Sequence, residues 1–409
     1  MNSLEAFAAP PFAQPVQQPH SPKLPLGAWI AVFGLACLPI GLMWDISHHI
    51  TIGRDTFWTP AHIIIQLGGI IPATMFGLLA LRTTFFPKPG DLDGAVSFWG
   101  IKAPIGVWVT IWGCMAMLTS APFDDWWHNA YGLDVKIISP PHSILGLGML
   151  GVGLGILLYL FSVQNRQPGT EQRTLAVICA LAVGAMLCLY GDFTTEVSWP
   201  NLQHTQRFLH VACIPFPLLL IVAARAVRIR WGATIAATVY MGIYIAMILV
   251  LPLFPAVPKL APIYNPVDHM RSPAFPLLLV VPAVAFDLLE MGWARWGKSA
   301  STAATGFFRR QWVRDTCLAL VGAVVFATLV GFVQWHFSKF LLSDAAENRF
   351  FARSGHWPYF AKIGPHANSF WENESPVLNS IGFLGALVRA FGSIRIGLFV
   401  GNYLLRLRR

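Results

Sequence analysis

Two stretches of the chain repeat one pattern of carboxylate and imidazole. The first reads Trp44-Asp45-Ile46-Ser47-His48-His49, continues through Gly53-Arg54-Asp55, and closes on Thr59-Pro60-Ala61-His62. The second reads Asp124-Asp125-Trp126-Trp127-His128, continues through Gly132-Leu133-Asp134, and closes on Ser139-Pro140-Pro141-His142. Each contains Asp-x3-His followed by a second His, 13 residues on in one copy and 14 in the other. An Asp and a His four residues apart share one face of a helix. Thr59 and Ser139 suit a helix N-cap, and the proline after each suits the first helical position, so His62 and His142 belong in an opening turn. Each hairpin thus offers Asp45, His49 and His62, or Asp124, His128 and His142, as a set of metal ligands. Three protein ligands leave positions open for water or substrate, as reactive sites require. Mixed imidazole and carboxylate suit Cu(II), Zn(II) or Fe(II) without choosing among them.

A third stretch keeps the frame with altered residues. Asp192 and Glu196 are four apart and His210 lies 14 beyond Glu196, which suggests a degenerate copy of the site. A fourth, Asn265-Pro266-Val267-Asp268-His269, keeps only the first half. Internal repeats of this kind point to repeated supersecondary units. Asp55 and Asp134 are placed to orient ligating imidazoles from behind, as carboxylates commonly do, with a solvated loop pair the equal alternative.

The elements that must carry these residues are membrane helices. Hydrophobic residues make up 55% of the 409 residues and charged ones 11%, below the charged share of a soluble domain. Apolar runs near 27–44, 62–82, 103–121, 143–163, 174–191, 208–225, 232–254, 274–293, 315–334 and 377–402 are each about as long as a bilayer crossing needs. The expected fold is an all-α integral membrane protein with about ten transmembrane helices arranged as repeated hairpins. Residues 1–25 are proline-rich without an apolar run and read as a disordered tail. Residues 26–230 form the metal-motif domain, and 231–409 add helices with a long outer connection at 335–376.

Arginine and lysine collect in alternate connections: Arg82 and Lys88, Arg166 and Arg173, Arg225 to Arg230, Arg295 to Arg314, and Arg406 to Arg409. The positive-inside rule makes that face cytoplasmic, puts both termini there, and sends the metal motifs to the extracytoplasmic side of a bacterial-type inner membrane. The net charge of +9 then serves topology and anionic lipid, not nucleic acid. Eleven of the twelve histidines fall on the face opposite the arginines, His20 being the exception. The six cysteines lie in or beside apolar runs without CxxC spacing and read as small buried hydrophobes, not as disulfides or ligands. Trp58, Trp126, Trp127 and Trp199 suit an interfacial aromatic belt.

At Asp45, His49 and the run Ile52-Gly53-Arg54-Asp55-Thr56-Phe57-Trp58-Thr59-Pro60-Ala61-His62 the sequence resembles the C subunit of particulate methane and ammonia monooxygenases. The resemblance covers roughly residues 25–220. It implies a copper site at Asp45, His49 and His62. The family's second site of Asn, His and His falls on Asp124, His128 and His142, where Asp replaces Asn and changes the ligand charge. It further implies a copper-dependent monooxygenase or a subunit of one, with partner membrane subunits and a cupredoxin-bearing subunit. The main alternative is a metal transporter, sensor or copper-handling accessory protein. A desaturase is disfavoured, because its HxxHH boxes are absent.

Overall fold

The computed structural model describes residues 26–52, 58–88, 91–131, 139–257, 268–303, 310–351 and 376–407. They form an all-α membrane protein with one small hairpin. Helices α1 (Leu26–Thr51), α2 (Pro60–Phe85), α3 (Ile105–Tyr131), α4 (Pro140–Arg166) and α5 (Gly169–Phe193) follow in sequence. Short α6 (Thr195–Ser198) leads to α7 (Gln206–Ala212) and α8 (Pro215–Ala226). Then come α9 (Gly232–Val250), α10 (Val280–Ala303), α11 (Gln311–Leu341) and α12 (Ser380–Arg406). Between α2 and α3, strands β1 (Val96–Phe98) and β2 (Ile101–Ala103) pair antiparallel across Trp99 and Gly100. Both turn residues have positive φ, as a two-residue hairpin turn demands.

Among the described residues, nine helical segments are long and apolar enough to cross a membrane. The run near 274–293 differs from expectation. Its first part is extended, and the helix begins only at Val280. Pro273 and Pro276 remove main-chain donors there, and Asp287, Glu290 and Arg295 then charge the helix. The run near 377–402 is one unbroken helix, α12, despite Arg389 and Arg395.

The main hydrophobic core runs from Ala28 to Leu407, with a smaller cluster at Ile248, Phe275 and Leu341. α5 sits at its centre, with 78% of its apolar stretch buried. The outer faces of other helices keep Leu78, Leu147, Phe332 and Phe399 exposed, as lipid contact allows.

The helices that carry the histidine motifs pack closely in pairs, α1 on α2 and α3 on α4. Glycine permits the closest approach. A Cβ on Gly113 would come within 2.5 Å of Val152 N, and one on Gly155 within 2.4 Å of Thr110 N. Small residues of this kind let membrane helices approach backbone to backbone. That contact holds the end of α3 against the start of α4, and so brings Asp124 and His128 to His142.

Candidate metal centres

Each motif is assembled by one helix ending and the next beginning. α1 continues unbroken past Asp45 to Thr51, so Asp45 and His49 stand one turn apart on one face. Thr59 then caps α2 with extended backbone (φ −70°, ψ 151°), and its hydroxyl accepts from His62 N at 3.4 Å. The second motif repeats this. Asp124 and His128 share the last turns of α3, and Ser139 (φ −104°, ψ 166°) caps α4 by accepting from His142 N, also at 3.4 Å. Both histidines stand three residues after the cap, as the Ser/Thr-Pro-x-His spacing predicts.

The two triads close accordingly. In the first, Asp45 Oδ1 lies 3.1 Å from His62 Nε2, and Asp45 Oδ2 lies 3.8 Å from His49 Nε2. In the second, Asp124 Oδ1 is 3.5 Å from both His128 Nε2 and His142 Nε2. In each triad, one ligand atom from every residue lies within 4.8 Å of the others. Two atoms each about 2.1 Å from a common ion stand about 3.0 Å apart at right angles and about 3.4 Å apart at the tetrahedral angle. The carboxylate–imidazole distances, 3.1 to 3.8 Å, begin just above the first value and extend a little past the second.

The carboxylates give a second test of fit. Asp45 Oδ1 and Asp124 Oδ1 are buried, and neither has a hydrogen bond of good geometry among the described residues. Imidazole nitrogens nevertheless face them at 3.1–3.5 Å. A buried carboxylate oxygen without an aligned donor is costly unless something cationic occupies the shared centre. The triads are also neighbours, with His142 of the second within electrostatic range of Asp45 in the first. Trp58 and Trp126 beside them are mostly exposed, which suits an interfacial belt.

The third copy does not assemble, which corrects the expectation of a degenerate site at Asp192, Glu196 and His210. α5 ends at Phe193, so Asp192 and Glu196 do not share a helix; Glu196 sits in α6 after a break at Thr194. Asp192 turns inward, 5% exposed, and takes a hydrogen bond from Tyr244 Oη at 2.8 Å. His210 Nε2 instead meets Gly382 O on α12 at 2.7 Å. In the fourth copy, His269 Nδ1 lies 3.0 Å from Oδ1 of its neighbour Asp268, on the surface.

Asp55 and Asp134, expected to support the ligands, lie outside the described residues, as do Arg54, His20, His356 and His366. His336 packs against Phe332 on α11, remote from both triads in sequence. All six cysteines are free thiols, as their spacing implies.

Sequence reasoning missed Arg271. Its main chain is tied to the end of α1: Ser47 Oγ donates to Arg271 O, and Arg271 N donates to Thr51 Oγ1 at 3.0 Å. Burial pulls its guanidinium pKa down to about 10. A lone arginine before Ser272-Pro273 gave no signal of this long-range contact.

Comparison of the chain with protein-family models, with curated proteins and with solved structures finds no match.

Proposed function

We propose that this is a copper-binding membrane monooxygenase, or the metal-bearing subunit of one, acting on a small apolar or uncharged substrate with molecular oxygen. The observation that carries the reading is the pair of Asp-His-His triads closed at spacings a metal ion fits. The resemblance of the first motif and its Arg54-Asp55-Thr56 and Thr59-Pro60-Ala61-His62 context to the monooxygenase C subunit narrows the metal to copper. Zinc or iron is the competing occupant of the same donors.

In this reading Asp45, His49 and His62 hold one ion, and Asp124, His128 and His142 hold a second. Bound copper supplies the redox chemistry that oxygen activation needs. The chain's own part is positional. The caps at Thr59 and Ser139 fix where His62 and His142 stand, and the unbroken ends of α1 and α3 fix each Asp-His pair. Each carboxylate offsets one positive charge of its ion, which lowers the cost of holding it beside an apolar bundle. Oxygen and small hydrocarbons dissolve in lipid, so triads at helix ends are reached from the bilayer without a water-filled channel. Partner membrane subunits and a cupredoxin-bearing subunit would complete the electron path.

The motif side follows the arginines: the triads face the extracytoplasmic side and both termini the cytoplasm, with α10 completing an even number of crossings.

The test is metal analysis of the purified chain together with oxygen uptake. Copper that co-purifies and drops in His49→Ala and His62→Ala, with oxygen consumed on adding a small hydrocarbon or ammonia, supports the proposal. Zinc alone, or no metal, removes it. Copper without oxygen uptake, even in the presence of the partner subunits, moves the chain to metal transport or delivery.

A further inference from the structure

At the end of the bundle opposite the triads, α8, the turn that follows it, α10 and α11 line an open cavity of ≈ 490 Å³. That is within the range of small-molecule sites, about 300–1,000 Å³. Three guanidinium groups and three carboxylates line it: Arg225, Arg230 and Arg314, with Asp287, Glu290 and Asp315. The balance looks neutral until the bonds are followed.

The carboxylates are largely committed. Asp287 accepts from Ala233 N at 3.2 Å, Thr234 N at 2.8 Å and Thr234 Oγ1 at 2.7 Å, and so caps the start of α9 from a neighbouring helix. Glu290 accepts from Arg225 Nε at 2.8 Å. Asp315 takes Arg225 Nη1 at 3.2 Å on one oxygen and Asn402 Nδ2 at 2.7 Å on the other. Arg225 is used up in the same network, since its Nη1 also reaches Asn402 Oδ1 at 2.8 Å.

Among the described residues, the other two arginines have donors to spare. Arg314 Nε is buried and has no hydrogen-bond partner among the described residues. Among the described residues, Arg230 Nε donates to the Met291 thioether at 3.2 Å, and its guanidinium lies over the Trp231 ring at 5.4 Å. A thioether sulfur is a weak acceptor, poorly matched to a cation. The cavity therefore holds two guanidiniums with donors to spare and few free acceptors. A buried guanidinium nitrogen without an acceptor is costly, and planar guanidinium is matched in geometry to phosphate oxygens.

We propose that this cavity binds a phosphate group, gripped by Arg230 and Arg314. The basic end of a membrane helix bundle is where an anionic or zwitterionic headgroup can enter from the side, so a phospholipid is one source of that phosphate and free phosphate in water is the other. The site is independent of the metal triads and of the reading given to them.

The experiment uses full-length protein purified in detergent. Phospholipid retained per chain is counted by native mass spectrometry after stepwise delipidation, and binding of radiolabelled inorganic phosphate is then measured on the delipidated chain. Arg230→Gln changes an exposed side chain and leaves the fold intact. Arg314→Gln removes the buried donor, and Arg314→Lys keeps the charge without the fork. Lys88→Gln, exposed and away from the cavity, is the control. One retained phospholipid that both Gln variants release about tenfold more readily, with Arg314→Lys intermediate and Lys88→Gln unchanged, supports the site with a lipid as its source. Arginine-dependent binding of inorganic phosphate without retained lipid supports the site with free phosphate as its source. Equal retention and equal phosphate binding in wild type and both Gln variants, or no binding of either, overturns it.

Discussion

The second and third histidine hairpins share a sequence frame and reach opposite outcomes. In the second, Ser139 caps α4 and His142 stands three residues on, facing Asp124. In the third, Thr205 caps α7, and the residue three positions on is Phe208, whose backbone N–H it takes. His210 stands five residues past the cap. Two further residues turn a side chain about 200° around a helix, at about 100° per residue. The imidazole is thereby carried away from Asp192 and onto Gly382 of α12. Counting between ligands preserved the spacing, but the position of the cap decides which way the ligand points. The carboxylate half fails for a related reason: α3 runs on through His128, whereas α5 stops one residue after Asp192.

The sharpest way to break this comparison is metal content. His49→Ala or His62→Ala should each remove one metal equivalent, and so should His128→Ala or His142→Ala. Loss of even an outer-shell partner weakens metal binding roughly 10–100-fold, and loss of a ligand costs at least that much. Asp192→Asn and His210→Gln should leave the metal content at the wild-type level. Elemental analysis of purified protein checks all six, and a metal equivalent lost with Asp192→Asn would restore the third site.

Tyr244→Phe should show what Asp192 does instead. It leaves a buried carboxyl without its donor, a loss of roughly 1–3 kcal/mol of stability. Thermal unfolding in detergent reads that loss, and the metal content should not move. A smaller effect should follow from the caps. Thr59→Ala and Ser139→Ala remove the side-chain acceptor at the start of α2 or α4, worth about 1 kcal/mol. Each should also loosen the metal of its own triad only, whereas Thr205→Ala should cost similar stability and no metal.

The smallest effect is a pH dependence in the third hairpin. Burial, helped by Lys339, lowers the pKa of His204 from its ordinary value of 6.5. The folded protein thus favours the neutral ring. The contribution is fully present above pH 6.5 and is lost as the pH falls through that value towards the folded-state pKa. His204→Gln should flatten the stability profile below pH 6.5, and an unchanged slope would show that the ring is not the source.

The membrane character, the bundle of helices and the two triads were legible because each rests on local signals. Apolar run length marks α1 to α5, and a Ser/Thr-Pro step fixes the register of His62 and His142. What was illegible depends on partners distant in sequence. Tyr244 lies 52 residues from the Asp192 it holds. The network of Arg225, Glu290, Asp315 and Asn402 joins four helices, and Arg225 entered the sequence reading only as a topology charge, without its partners. The late start of α10 was foreshadowed by Pro273 and Pro276, but hydrophobicity over 274–293 outweighed them in the reading.

The clasp between α1 and Arg271 bears on how the protein is made. Ser47 and Arg271 are 224 residues apart, and the clasp lies one turn from the helix end that presents His49. A ribosome adding about 5–20 residues per second needs roughly 10–45 s to travel that far. For that interval the newly inserted α1 and α2 already carry Asp45, His49 and His62 while the end of α1 lacks its fastening. The order of synthesis thus closes the fastening at the end of α1 only after α1 to α9 have been made.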